Sequence, residues 1–344
     1  MKSILLASAS VIGLAGAAAA EVTFGGDATF GYNNDDTTGD HSGFYWSGNV
    51  AVTMSQTLDN GLTVSATFDW DIDNHGWGII EGDDNHTATG GYVLALTSDN
   101  AGLYFGDTDM SADMHWSGVS GMEADSFDED RVGDAVLRGE YTFGDITASV
   151  SYNVYEEGDM DAMQFAVVGS LGGASFGLAY QDADGDSGDE IFGISVGTTL
   201  GGADLSLAYA DNSNGESSIG LGVSYPVGPV TLGMTYAMNE VADDAWEITV
   251  GYADGPITVD VAFDSTEDWS LEGSYDVGNG IMVYAGLADA GDDIYVGGTY
   301  DLGGGASLLI SYADDGNLDS GSADDEIGAQ EYQNGMTVEV SFEF

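Results

Sequence analysis

Apolar and polar residues alternate through most of the chain. Val22, Phe24, Ala28, Phe30 and Tyr32 share one parity, while Thr23, Gly25, Asp27 and Thr29 take the other. That is the period of a strand with one greasy and one wet face. Phe44, Trp46, Val50, Val52 and Met54 repeat it against Asn49, Ala51, Thr53 and Ser55. After the turn Leu58-Asp59-Asn60-Gly61 it resumes, with Val64, Ala66, Phe68, Trp70 and Ile72 opposing Ser65, Thr67, Asp69, Asp71 and Asp73. Further on, Val230, Leu232, Met234, Tyr236 and Met238 alternate with Thr231, Gly233, Thr235, Ala237 and Asn239. Ile257, Val259, Val261 and Phe263 do the same with Thr258, Asp260, Ala262 and Asp264.

Tight turn signals punctuate this pattern at Gly144-Asp145, Gly172-Gly173, Gly201-Gly202, Pro226 to Pro229, Asp254-Gly255, Gly278 to Gly280 and Gly303 to Gly305. They are spaced by roughly two strands of about ten residues each. Looser acidic segments lie between them, such as Glu156 to Asp161, Gln181 to Glu190 and Asp211 to Glu216. Tight turns on one side and longer polar loops on the other belong to a barrel crossing an outer membrane. A soluble sandwich also alternates, so the placement of aromatics discriminates. Tyr141, Tyr225, Tyr252, Tyr275 and Tyr300 stand just before tight turns on the apolar parity, as an interfacial girdle requires. The chain ends Val338-Glu339-Val340-Ser341-Phe342-Glu343-Phe344, alternating to its last residue. In lipid this strand must pair with the first, since an open edge leaves backbone groups unbonded. The expected fold is all-β: a transmembrane antiparallel up-and-down β-barrel of 16 to 20 strands.

The longest mid-chain break in the rhythm is Asp107 to Asp134. It carries Asp107, Asp109, Asp113, Glu123, Asp125, Asp128, Glu129, Asp130 and Asp134 against one base, Arg131. A loop of this length inside a compact fold is usually functional or disordered. Hung from one strand end of a barrel, it can drop into the lumen and narrow it.

Residues 1–20 read as a secretory signal: Lys2 is the charged end, Ile4 to Leu14 the short apolar run, and Ala18-Ala19-Ala20 the cleavage site. The expected domains are therefore a leader over 1–20 and a barrel over 21–344. Removing the leader takes away Lys2 and no acid, so the formal net charge of -57 becomes -58. Only Arg131 and Arg138 remain as strong bases, and phosphate contacts need clustered Lys and Arg, so a nucleic-acid partner is excluded. Zero cysteines exclude a disulfide scaffold and a thiolate site. Gly at 53 and Pro at only 3, with 18 Tyr and 13 Phe, argue against disorder. The acidity itself has two readings, ion selection in a pore or a surface kept hydrated in a saline habitat.

A leader, a final strand ending in Phe344, a long loop after the fifth strand (Gly102 to Gly106), and the phrases Tyr104-Phe105-Gly106-Asp107 and Tyr300-Asp301-Leu302-Gly303-Gly304-Gly305 occur together here. In these features the chain resembles the general diffusion porins of Gram-negative bacteria, most of all the alphaproteobacterial, Rhodobacter-type branch. The resemblance implies a homotrimeric outer-membrane barrel whose third external loop folds inward as the constriction. It also implies a last strand, ending in Phe344, that is read by the barrel-assembly machinery. Two departures stand out. Porins of this branch usually have about 16 strands, whereas nine tight turns and two end strands give 20 here. Such porins also set bases across from the acidic loop, and here only Arg138 is available, facing the lumen by parity beside Glu140.

Carboxylates at a narrow point favour cations, and a low-dielectric wall focuses their field. The expected constriction is thus Asp107, Asp109, Asp113, Glu123, Asp125, Asp128, Glu129 and Asp130, with Arg131, Arg138 and Glu140 beside it and Asp27, Asp69 and Asp71 on the wall. The expected transport is passive diffusion of small hydrophilic solutes and cations, with no cofactor required. Bound Ca²⁺ or Mg²⁺ is one way to hold so many acids together. Asp182, Asp184, Asp186, Asp189 and Glu190 have a calcium-loop flavour, although their glycine falls too early for an EF-hand; the other reading is a solvated external loop. Arg131 either braces the loop through a carboxylate fork or forms a surface ion pair of small worth. His41, His75, His86 and His115 fall in loops or at their edges, without metal-ligand spacing. Two rivals remain: a barrel enzyme of phospholipase type, which needs serine and histidine meeting near the lipid face, and a receptor or adhesin barrel. Among the loops, only Asp314 to Asn334 rivals the acidic one in length.

Overall fold

The computed structural model describes residues 9–10, 20–34, 43–74, 86–127, 135–154, 160–182, 189–316 and 326–344. The strands begin with β1 Glu21–Asn33, β2 Gly43–Thr57, β3 Thr63–Asn74, β4 His86–Thr97 and β5 Ala101–Gly106. A single helical turn, α1 Ser111–His115, precedes β6 Ala135–Phe143, β7 Ile146–Val154, β8 Met160–Leu171, β9 Ala174–Asp182 and β10 Ile191–Leu200. There follow β11 Ala203–Asn212, β12 Glu216–Val227, β13 Val230–Asn239, β14 Ala245–Asp254 and β15 Ile257–Asp264. The series ends with β16 Trp269–Gly278, β17 Ile281–Ala288, β18 Asp293–Gly303, β19 Ala306–Asp314 and β20 Gly335–Glu343.

Every neighbour in this order pairs antiparallel, and β20 pairs back onto β1, with Glu343 against Asp27 and Thr337 against Asn33. The sheet is a closed barrel of twenty strands, the upper end of the expected range. Closure leaves no lipid-facing edge over the paired stretch, which is what a hydrocarbon environment demands of backbone N–H and C=O groups. No helix among the described residues is long and apolar enough to cross a membrane, so any crossing is made by strands. Of the expected leader, only Ala9–Ser10 and Ala20 are described; the pair lies antiparallel to Thr23 and Phe24.

The alternation sorts the two faces. Exposed outward residues include Phe30, Val50, Leu94, Ile194, Leu221, Met234, Val261, Leu271, Val296 and Ile310. Tyr141, Tyr225, Tyr275 and Tyr300 ring the tight-turn end, each exposed, and Tyr252 is half-buried at the same level. A second ring stands at the loop end, where Tyr180 donates to Glu190, Tyr209 to Asp211 and Tyr236 to Asp244. A charged side chain on the lipid face costs roughly 2–4 kcal/mol at mid-depth and little near the interface. Accordingly, the outward-parity acids of the described strands stand at strand ends, namely Asp182, Asp211, Asp254 and Asp314.

Candidate functional site: the lumen and its constriction loop

The long acidic loop, described as far as Phe127, leaves β5 and lies along the inner wall from β7 to β14. Its first turn, α1, is too short to satisfy its own N-terminal amides, and the wall does so instead. Ser111 N donates to Ser151 Oγ at 2.8 Å, the Ser111 and Ser149 hydroxyls share a 2.7 Å bond, and Ala112 N donates to Gln164 Oε1 at 2.7 Å. Gln164 Nε2 in turn donates to Gln181 Oε1 at 2.8 Å, and all four wall residues are buried.

Beyond the turn the loop is held by apolar contact on a wall of small residues. The Trp116 ring lies over Gly193, where a β-carbon would stand 2.7 Å from it. Val119 and Met122 lie over Gly220, where a β-carbon would come within 2.5 Å of Val119 Cβ. Val119, Met122 and Ala124 are buried together with Ala208, Ala210 and Ala237 of the wall. Phe127 returns to the cluster of Ala112, Ala179 and Ile191, its ring edge-on to Trp116 at 5.7 Å. The far end is fixed where Glu123 N and Ala124 N donate to Ser218 Oγ and Asn239 Nδ2 donates to Gly121 O. The described part of the loop is therefore a shelf whose apolar underside fills the notches of the wall.

Arg138 faces inward, as parity requires, but the loop covers it and leaves it 4% exposed. Its guanidinium donates to the Asp109 carbonyl at 2.6 Å and lies 4.9 Å over the Tyr104 ring. It braces the loop backbone, and its charge does not face the open lumen. The expected roles of Arg131, and of Asp128, Glu129 and Asp130, fall on positions outside the described residues. His115 meets Glu140 at 3.2 Å, tying α1 to β6.

The expected acids divide into two groups. Asp107 and Asp69 approach each other above Gly91, Asp71 accepts from Asn49 at 2.7 Å, and Asp27 pairs across from Asn49, so these four gather on the β1–β4 wall. Asp113 and Asp125 are engaged with the loop's own fixings: Gln164 Nε2 donates to Asp113 at 3.3 Å and Trp116 Nε1 to Asp125 at 2.9 Å. Burial pushes the Asp125 carboxyl above its ordinary value, partly offset by the Trp116 bond. Asp109 and Glu123 are exposed. Of the calcium-like segment, Asp184 and Asp186 lie outside the described residues, Asp182 is exposed, and Glu190 accepts from Tyr180 at 2.8 Å. Among the described residues no three His, Cys, Asp or Glu are grouped to hold a metal ion.

Sequence reasoning missed other lumen carboxylates. Glu247, Asp260, Glu272 and Glu339 all take the inward parity, with Asp260 directly across from Glu272. Glu339 accepts from the Tyr45 hydroxyl at 2.6 Å across Gly31, and Glu272 from the Tyr295 hydroxyl at 2.8 Å across Gly286. The available signal was parity alone: each is an acid on the wet beat of an otherwise apolar alternation.

A family model described as Gram-negative porin matches residues 7–320. Solved structures of similar outline include a triple mutant of the Rhodopseudomonas blastica porin, at 17% identity and TM-score 0.43 over 94% of this chain and 100% of that one. A porin refined at 1.8 Å gives 20% identity and TM-score 0.43 with the same coverage. A loop-deletion mutant of OmpT, an outer membrane protein of Vibrio cholerae, gives 13% identity and TM-score 0.40 over 96% of this chain and 100% of that one. No curated protein matches the chain.

Proposed function

The chain belongs to the Gram-negative porin family, and from that premise we propose that it conducts small hydrophilic solutes passively through the outer membrane with a preference for cations. Family and fold make it an outer-membrane porin channel, which points away from the enzyme reading. One observation carries the cation preference. Of the three strong bases in the sequence, Lys2 belongs to the expected leader, Arg131 lies outside the described residues, and Arg138 is buried under the loop. The carboxylates of Asp27, Asp69, Asp71, Asp107, Glu247 and Asp260 thus stand on a wall with no accessible Lys or Arg among the described residues. Fixed charge of one sign in a low-dielectric tube concentrates counter-ions and excludes co-ions.

The same reading includes homotrimers and insertion through recognition of Phe344. Support for association comes from the outer face of β1–β3, where aromatic rings pack on one another. Phe30 stacks on Phe44 at 5.7 Å, Tyr32 meets Phe44 at 5.1 Å, and Phe68 stacks on Trp70 at 6.2 Å. The test is single-channel recording in a planar bilayer under a KCl gradient. The expected result is a reversal potential of cation-selective sign with three closing steps per insertion, and a weaker preference in the triple variant Asp27→Asn, Asp69→Asn, Asp71→Asn. A chloride preference in the unaltered protein would overturn the cation reading.

A further inference from the structure

The inner faces of β18 and β19 ought to be wet, yet Tyr295, Ser311 and Ala313 are each 3% exposed or less. The cover is the last external loop. Its end forms a two-rung hairpin, Glu326–Ile327 against Tyr332–Gln333, directly before β20. Ile327 and Tyr332 are 2% and 3% exposed, buried in one cluster with Tyr295 and Ala313 and flanked by Tyr284 and Leu309. The wall is notched to receive them. Gly297 lies under the Tyr332 ring, where a β-carbon would stand 2.5 Å from the hydroxyl oxygen. The Tyr295 and Tyr332 rings sit 5.1 Å apart.

Polar fixings hold the hairpin as well as packing. Glu272 accepts from the Tyr295 hydroxyl at 2.8 Å and from Ala329 N at 3.0 Å, so one wall carboxylate ties both the seat and the hairpin tip. Asn33 Nδ2 donates to Asn334 O at 2.8 Å and to Thr337 Oγ1 at 2.9 Å, fixing the hairpin's exit against β1. The tip, Ala329 to Glu331, is exposed. This seat on β16–β19 is a different arc of wall from that of the acidic loop on β7–β14, and both lie near the loop ends of their strands.

We propose that this hairpin is a second fixed constriction element, with Glu272 its positioning residue, so that two inward-folded loops jointly set the size limit of the channel. The consequence for transport rests on the porin reading; the seating of the hairpin does not, and the test separates the two. The chain has no cysteine, so Ala313→Cys introduces a single thiol beneath the hairpin, and Ser307→Cys, exposed on the same strand and the same face, is its control. With the hairpin seated, the thiol at 313 reacts with a water-soluble maleimide about tenfold or more slowly than the control. Adding Ile327→Ser and Tyr332→Ser is expected to abolish that protection. In bilayers the Ile327→Ser, Tyr332→Ser variant is expected to raise conductance by about half and to admit larger sugars in liposome swelling, with the sign of ion selectivity unchanged. Equal labelling of the two thiols would overturn the seating. Protection at 313 with unchanged conductance and sugar limit in the double serine variant would overturn the constriction role. A wild-type barrel that inserts but passes no current would overturn the porin reading and this role with it, leaving the labelling result intact.

Discussion

The inner wall under the acidic loop and the inner wall of β1–β4 are built from the same alternation but with different residues. Under the loop, inward positions are Gly193, Ala208, Ala210, Gly220 and Ala237, with Ser149, Ser151, Gln164 and Gln181 at the polar end. On β1–β4 they include Asp27, Asn49, Asp69 and Asp71, polar enough to keep water beside them. The contrast teaches that the loop's course is written in the wall. A seat of small residues lets backbone and aromatic rings approach, while an acidic wall gives a folded-in loop nothing apolar to bury against.

The largest break of this contrast is to fill the seat. Gly220→Leu collides with Val119 and Met122, and overpacking of this kind costs about 1–3 kcal/mol. The loop is expected to lift off the wall, seen as a changed single-channel conductance and altered Trp116 fluorescence, while β1–β4 stay folded. A smaller effect is expected from Arg138→Met, which keeps the length and loses the charged bond to the Asp109 carbonyl. That bond contributes about 1.5–3 kcal/mol, and the loss should appear as noisier open-channel current and a lower thermal midpoint. The smallest effect concerns Asp125. Its carboxyl is held above the ordinary range in the folded loop, so the folded form binds this proton at a pH where an unfolded aspartate is still ionised. Acidification through the window just above the usual carboxylate value therefore favours the folded loop. Asp125→Asn, already neutral, should lose that part of the pH dependence in a stability titration.

The strands were legible because a period of two survives any tertiary detail, and the nine tight turns counted them correctly. The position of the fifth strand and of the loop after it was legible for the same reason. The seat was not. Gly193 or Ala208 on the inward beat looks the same in sequence whether it faces water or a tryptophan, and only the loop's return shows which. Arg138 illustrates the limit from the other side: parity sent it inward, but its burial depends on a loop whose own sequence reads only as acidic. Glu272 was passed over because a lone acid on a wet beat carries no mark of the hairpin amide it holds.

The bond from Tyr45 to Glu339, 294 residues apart along the chain, also says something about how the barrel comes into being. Closing a loop of that length costs roughly 5 kcal/mol in chain entropy, against about 2 for a ten-residue hairpin. On that ground the seam between β1 and β20 is expected to be the last register to form, and a sheet without it carries two unsatisfied edges. A hydroxyl laid across Gly31 to a carboxylate on the final strand fastens that seam from the wet side once it is shut.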